Sequence, residues 1–222
     1  MTLRHVANAL LAALVAPPCA ICLRVLDAPL DGAVCPSCWA AVAPRLLTPI
    51  GGSRIIATAA AIGEYDGALR EIIHALKYDG RRSIAAPLAA MMATHGAAIL
   101  READLIVPVP LHARRQRERG FNQADELACG LRLPVARALR RTRPTRSQVE
   151  LPAEERRLNV ADAFALRTPL VGGKLIVLVD DVTTTGATLE ACAKVLLEGG
   201  AREVRALTAA RVVTEPRREY RS

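Results

Sequence analysis

Aromatic residues are scarce in this chain, at 3% of 222 residues, so its core has to be built from aliphatic side chains and alanine. Lysine is scarcer still. Lys77, Lys174 and Lys194 are the only three, which leaves arginine to carry most of a formal net charge of +8. No apolar run reaches the ~20 residues that a membrane-spanning helix needs. The phosphate-binding pattern GxxxxGK[ST] and the dinucleotide pattern GxGxxG are both missing, so the chain has neither a P-loop nor a Rossmann-type turn. There is no internal repeat and no low-complexity tract. A chain of this length holds one sizeable core plus a small appendage.

The most informative stretch is LIVLVDDVTTTGAT, from Leu175 to Thr188. Ile176 to Val179 is a short apolar run preceded by Gly172-Gly173 and followed by Asp180, the pattern of a central parallel strand buried on both faces. Leu189 to Gly199 then reads as a helix, with apolar residues at Leu189, Ala193, Leu196 and Leu197 and a Gly199-Gly200 stop. The turn between them lies at a strand's carboxyl end and a helix's amino end, where open α/β sheets bind ligands and unpaired N–H groups attract phosphate. Thr183, Thr184, Thr185 and Thr188 add hydroxyl donors there, and Gly186 removes a Cβ that would hold a phosphate away from the backbone. Asp180 and Asp181 suit ribose hydroxyls or Mg²⁺ better than phosphate itself. A capped helix after a buried strand is the simpler alternative, but two acids, four hydroxyls and a glycine exceed what capping requires.

A second strand, DLIVPVP from Asp104 to Pro110, runs into LHARRQRERGFNQ. Arg114, Arg115, Arg117 and Arg119 offer planar bidentate donors suited to phosphates, Gly120 allows a sharp turn, and Asn122 is a candidate N-cap. A solvated basic face is the alternative reading. Between Leu111 and Ser147 ten arginines face three acids, so nearly all the excess charge lies in one part of the chain.

The LIVLVDDVTTTGAT stretch resembles the PRPP-binding signature of type I phosphoribosyltransferases. That resemblance implies that Asp180 and Asp181 hold the ribose 2′- and 3′-hydroxyls while Thr183, Thr184, Thr185, Gly186, Ala187 and Thr188 hold the 5′-phosphate. It further implies that the strand-end loop from Val109 to Arg119, including Pro110 and Leu111, contacts the diphosphate, and that a mobile loop near Arg143–Asn159 closes over the substrate. Four blocks in order resemble the ComF family: YDGALREIIHALKYDGRRSIAAPLA, VPVPLHARRQRERGFNQ, RTRPTRSQVELPAEERRLNVADAFAL and VLVDDVTTTGATL. Members of that family join a cysteine-rich amino-terminal module to a phosphoribosyltransferase-like domain and are associated with natural competence.

Cys19, Cys22, Cys35 and Cys38 form two CxxC pairs twelve residues apart, a spacing that places four thiolates tetrahedrally around a structural Zn²⁺. Two disulfides or a redox CxxC are the alternatives, each of which needs a different context. Cys129 and Cys192 read as small core residues. Leu3 to Val15 is too short to span a bilayer and Pro17-Pro18 fits poorly with a small-residue cleavage site, so it is expected to be an amphipathic or buried helix on the module or main domain, with an export signal as the alternative. Thr48 to Ser53 reads as a linker, and the charged tail from Val213 to Ser222 as frayed.

The expected architecture is α/β: a four-cysteine zinc module with its leading helix over residues 1–50, then a type I phosphoribosyltransferase-like domain over 51–222. Its central strands should include Leu105–Pro108, Leu175–Val179 and Val204–Ala209, with a covering helix from Tyr65 to Leu76. The resemblance implies transfer of a 5-phosphoribosyl group from PRPP with Mg²⁺. Asp180, Asp181, Arg114 and Arg115 would be the catalytic set, aided by Arg143 or Arg146, and no general base is identifiable beyond His112 by position. Two rival readings are a PRPP sensor without catalysis and a competence factor whose Arg114, Arg115, Arg117 and Arg119 bind single-stranded DNA. Only Trp39, Tyr65, Tyr78 and Phe121 could stack bases. A DNA-uptake machine or helicase would then be the partner, and a cytoplasmic location is expected.

Overall fold

The computed structural model describes residues 3–48, 55–142 and 163–213. In chain order its elements are α1 (Leu3–Val15), α2 (Pro36–Ala40), β1 (Thr58–Ala61), α3 (Gly67–Tyr78), α4 (Ala85–His95), α5 (Ala97–Leu100) and β2 (Leu105–Pro108). There follow α6 (Ala113–Arg119), α7 (Gln123–Gly130), β3 (Leu139–Arg141), β4 (Phe164–Leu166), β5 (Leu175–Thr183), α8 (Ala187–Glu198) and β6 (Glu203–Arg211). Four of the strands make one parallel sheet in the order β1-β6-β5-β2, and β3 and β4 form a separate antiparallel pair. This is the α/β architecture with a parallel sheet that the sequence pattern points to, with the four cysteines gathered near the amino terminus.

Alternation along the buried strands feeds two cores. Leu175, Val177 and Val179 of β5 pack with Ile72, Ile73 and Leu76 of α3, Leu88 and Met92 of α4 and Leu127 of α7. Ile176 and Leu178 pack on the opposite face with Leu189, Cys192 and Leu196 of α8 and with Leu139 and Phe164 of the small hairpin. Cys19, Leu26, Val34, Cys38 and Val42 join the first of these cores rather than forming one of their own. The segment before the sheet is bound to it as well. Arg45 donates its N–H to Ile62, and Leu47 exchanges two backbone hydrogen bonds with Ala61, which covers the outer edge of β1. The other edge is covered too, because Ile106 of β2 bonds with Pro134 and Ala136.

Several boundaries differ from the sequence expectation. β5 does not stop at Val179 but runs to Thr183, because β6 itself extends to Arg211 and supplies partners to Asp180, Val182 and Thr183. The acids are therefore on the strand rather than in the turn. α3 starts at Gly67 instead of Tyr65, since the Tyr65 N–H is taken by the Arg211 carbonyl alongside β6. The arginine-rich "loop" is the helix α6, with the His112 Nδ1 accepting from the Arg114 N–H at its start and Gly120 in the left-handed region, φ +75°, at its end. Cys192 is buried as expected, but Cys129 is exposed on α7, a position its sequence context did not reveal.

Leu3–Val15 is indeed one helix. Asn8 accepts the Leu30 N–H at 2.8 Å, and Arg4 pairs with Asp31 at 2.7 Å, which ties α1 to the cysteine module. Among the described residues no helix is long and apolar enough to cross a membrane. The expected mobile loop at Arg143–Asn159, with Arg143 and Arg146, lies outside the described residues, as do nearly all of the linker and the charged tail.

Candidate functional site

A cavity of about 700 Å³ opens at the carboxyl ends of β2 and β5, the edge where an open parallel sheet binds ligands. Asp180 and Asp181 are central to it. Period-2 alternation sends them to opposite faces of β5: Asp181 toward α3, and Asp180 toward the side of α8 and the hairpin, where it feels Arg141 and Cys192. The Asp180 Oδ1 also accepts the Asp181 N–H at 2.9 Å.

Asp181 has a partner that the sequence reading missed. Lys77, at the end of α3, places its Nζ 2.9 Å from the Asp181 carboxylate, with both side chains nearly removed from water. Burial alone would lower the Lys77 pKa, but the Asp181 charge and hydrogen bond, helped by Asp180, outweigh it and hold the amine above its ordinary value. A signal was present in the sequence: Lys77 sits four residues after Ile73 on the edge of the apolar stripe of α3, in a chain with three lysines.

Burial pushes the Asp180 carboxyl up to about 7, and the neighbouring Asp181 charge acts in the same direction, against Lys77 and Arg141. The consequence for stability has a definite sign. The folded chain holds this proton more tightly than the unfolded one, whose aspartate titrates near 3.9, so rising pH destabilises the native state between about 4 and 7. Asp180→Asn lacks this penalty while its amide oxygen can still accept the Asp181 N–H. Its stability advantage should grow by up to ~1.4 kcal/mol per pH unit through that window and level off above it. Thermal melts from pH 4 to 8 measure this, and a gap that does not change with pH would refute it.

Beyond the acids, Thr184 and Thr188 line the cavity, whereas Thr183 is buried in the strand end and the Thr185 Oγ1 accepts the Ala187 N–H at 3.4 Å. Gly186 precedes α8 with φ +82°, where a side chain would be strained, and Ala187 is the first residue of that helix. From the β2 side come Val109, Pro110 and Leu111, fixed by the Asn122 Nδ2, which donates to the Val109 carbonyl at 3.0 Å. Asn122 also caps α7 by accepting the Ala124 N–H. The four arginines of α6 divide. Arg115 and Arg119, one helical turn apart, line the cavity. Arg114 is exposed and donates to Glu118 at 2.9 Å, and Arg117 is exposed in the last turn. Arg141, from β3, adds a cation to the lining that sequence reasoning did not single out.

The phosphoribosyl transferase domain family matches residues 117–221. The DNA utilization protein YhgH of Escherichia coli strain K12 is 35% identical over 210 residues, covering 84% of this chain and 86% of its own length. Competence protein F of Haemophilus influenzae is 38% identical over 108 residues, 46% of this chain and 47% of its own. Competence protein ComFC of Bacillus subtilis is 40% identical over 96 residues, 43% of this chain and 39% of its own. The chain belongs to the ComF family.

This ComF protein also carries a candidate metal centre. The Sγ atoms of Cys19, Cys22, Cys35 and Cys38 all lie within 4.8 Å of one another, with Cys19–Cys38 at 3.9 Å and Cys22–Cys35 at 3.7 Å. Disulfide sulfurs would be about 2.05 Å apart. Four thiolates about 2.3 Å from a central ion sit about 3.8 Å from each other, so the spacing fits a tetrahedral metal site. The surroundings favour thiolates. Backbone N–H groups of Ile21 and Cys35 point at the Cys19 Sγ, and Arg24 reaches the Cys22 Sγ at 3.5 Å while donating to the Ser37 hydroxyl at 2.6 Å. In this ComF chain the cysteine cluster could hold a metal ion on four ligands from two short turns.

Proposed function

We propose that this protein binds PRPP with Mg²⁺ in the cavity at the end of β5 and transfers its phosphoribosyl group to an acceptor, in a role connected with DNA uptake. One observation carries the reading: a central strand delivers two carboxylates and then a threonine-glycine turn onto a helix start, with Asp180, Asp181, Thr184 and Thr188 all lining one polar cavity. Asp180 and Asp181 accept hydrogen bonds from the ribose 2′- and 3′-hydroxyls. The Thr183–Thr188 segment, through Thr184, Thr188 and the N–H groups that begin α8, holds the 5′-phosphate. Pro110, Leu111 and Arg115 face the diphosphate, with Arg141 close by.

Transfer breaks the bond from ribose C1 to the diphosphate oxygen, which leaves with the electron pair, and forms a bond from C1 to the acceptor, which loses its proton. Two needs follow from that charge flow. Arg115 and Arg141 stabilise the departing diphosphate, and the carboxylates stabilise the sugar as C1 becomes cationic. Bound Mg²⁺ would share the diphosphate charge, held by Asp180 or Asp181 directly or through water. The four cysteines hold Zn²⁺ in a structural role, since all four positions are taken by thiolates and none is left open for a substrate.

The relatives' names favour a second reading beside the first. Arg114 and Arg117 face outward from α6, away from the cavity lining, and are placed to bind the phosphates of single-stranded DNA without reading its sequence. Calorimetric titration with PRPP and Mg²⁺ separates the two. Saturable heat that is lost in Asp180→Asn/Asp181→Asn supports the sugar-phosphate site, and equal heat in the double variant refutes it. If DNA contact resides on α6, Arg114→Ala/Arg117→Ala should weaken single-stranded DNA binding about tenfold and flatten its salt dependence while PRPP heat persists.

A further inference from the structure

The cavity has a wall that the ribose, phosphate and diphosphate groups of the proposed ligand leave unused. It is made where the ends of α3 and α6 meet the start of α7. Arg119 holds it together: its guanidinium lies 4.9 Å from the Tyr78 ring centre and donates to the Gln123 Oε1 at 3.0 Å. That bond fixes the orientation of the amide, so the other end of Gln123 is its NH₂ group. Gln123 is 1% exposed, lines the cavity, and its Nε2 has no hydrogen-bond partner among the described residues. A buried amide donor without a partner is unfavourable and uncommon in native proteins, and a ligand is one of the few things that explain it.

Arg119 is itself unusual among its neighbours. Arg82, Arg114 and Arg137 each have a carboxylate partner, whereas Arg119 has none within salt-bridge distance among the described residues. Glu118 lines the same cavity but is engaged by Arg114. At Gly80, also on the lining, an added Cβ would meet nothing within 4 Å, so the wall opens onto free space. The wall thus combines a flat stacked cation without a carboxylate partner among the described residues, an aromatic ring and an adjacent neutral donor without a partner.

We infer that Tyr78, Arg119 and Gln123 form the subsite for the acceptor, and that they select a flat molecule presenting two neighbouring hydrogen-bond acceptors, a carboxylate or the N–C=O edge of a heterocycle. The inference rests on the proposed phosphoribosyl transfer for the word acceptor, but the subsite itself rests on these three side chains. A diphosphate, with several negative charges, is better served by Arg115 and Arg141 than by one cation beside a neutral amide. A planar group lying in the plane of the guanidinium takes one hydrogen bond from each donor, while the Tyr78 ring stacked on Arg119 holds that cation in place.

The test uses the full-length, metal-loaded chain with nicotinate and cytosine, whose N3 and O2 are adjacent acceptors, as probes of the carboxylate and N–C=O arms, read by NMR titration. PRPP and inorganic pyrophosphate are titrated separately. Either probe should bind saturably at millimolar concentration, and Gln123→Leu should weaken it about tenfold or more, the loss expected for one well-aligned hydrogen bond in a buried site. The substitution removes the unpaired Nε2 donor and also the Oε1 that accepts from Arg119, so a thermal melt of each variant accompanies the titration to establish that it is folded. Tyr78→Ala, at a ring that is 61% exposed, gives a second route to the same loss if Gln123→Leu does not fold. PRPP and pyrophosphate affinity should stay within about threefold in both variants. Equal weakening of pyrophosphate and probe would overturn the inference by placing Gln123 in the diphosphate site, and so would the absence of saturable binding by either probe. Probe binding that depends on Gln123 in a protein that ignores PRPP would leave the subsite intact and remove the transferase reading instead.

Discussion

Serine in place of Cys38 should strip the metal from the four-cysteine cluster and unfold the turns around it, while the parallel sheet remains folded. The expectation follows from how little else holds the module. Its regular structure is α2, five residues long, and one three-residue turn of 3₁₀ helix at Pro29–Asp31, neither of which is stable alone. Its buried side chains, among them Leu26, Val34 and Val42, belong to the core beneath α3 rather than to a core of its own. Structural zinc contributes about 10–16 kcal/mol of apparent binding energy in small four-ligand modules, and that energy is folding energy when the site does not exist in the unfolded chain. Cys38 suits the test because it is buried among the four thiols, and burial pushes its pKa up to about 12, so a cation is needed to keep it a thiolate. Metal analysis should give about one zinc per chain in the parent and close to none in the variant. Hydrogen exchange across residues 19–42 should become fast while β5 and β6 stay protected. Retention of stoichiometric metal with an unchanged exchange pattern would sink the structural-zinc assignment.

How far the fold was legible varied with the physics of each element. β2 and the apolar part of β5 were readable because strands buried on both faces appear as unbroken aliphatic runs. β1 was not, since Thr58–Ala61 is threonine and alanine with no such run, and only pairing with β6 makes it a strand. The ends of β5 and β6 were misjudged for a related reason. Polar residues from Asp180 to Thr183 break the apolar pattern but remain in the ladder because each strand supplies the other's hydrogen bonds. At the site, the carboxylates and the threonine turn announced themselves as a local motif. Lys77, Arg141 and Gln123 did not, because each is brought to the cavity from a separate element, and long-range convergence leaves no local spacing to read. The split of the α6 arginines was equally hidden until that segment proved to be a helix, where a four-residue interval means a shared face.

Lys77→Met should be the most damaging single change in the main domain, at about 3–5 kcal/mol, the usual cost of removing one partner of a buried ion pair. The damage comes less from the lost attraction than from what is left behind: Asp181, at 7% exposure, beside Asp180, with the nearest described cation gone. That origin fixes the pH dependence. The cost lies in ionised carboxylates left without their cation, so the penalty should be larger at pH 8 than at pH 5, where Asp180, pushed up to about 7 by burial, has taken up its proton. A double substitution separates this from simple loss of packing, because Lys77→Met/Asp181→Asn removes both charges and should recover most of the stability lost in the single variant. Urea unfolding of the four proteins of this cycle at pH 5 and 8 measures it. A coupling energy near zero at pH 8 would show that Lys77 contributes its methylenes and not its charge. The same cycle bears on the proposed PRPP binding, since a lysine that holds Asp181 in place keeps that candidate ribose ligand at the cavity. In the single variant PRPP affinity should therefore fall along with stability, and in the double variant stability should return while affinity does not.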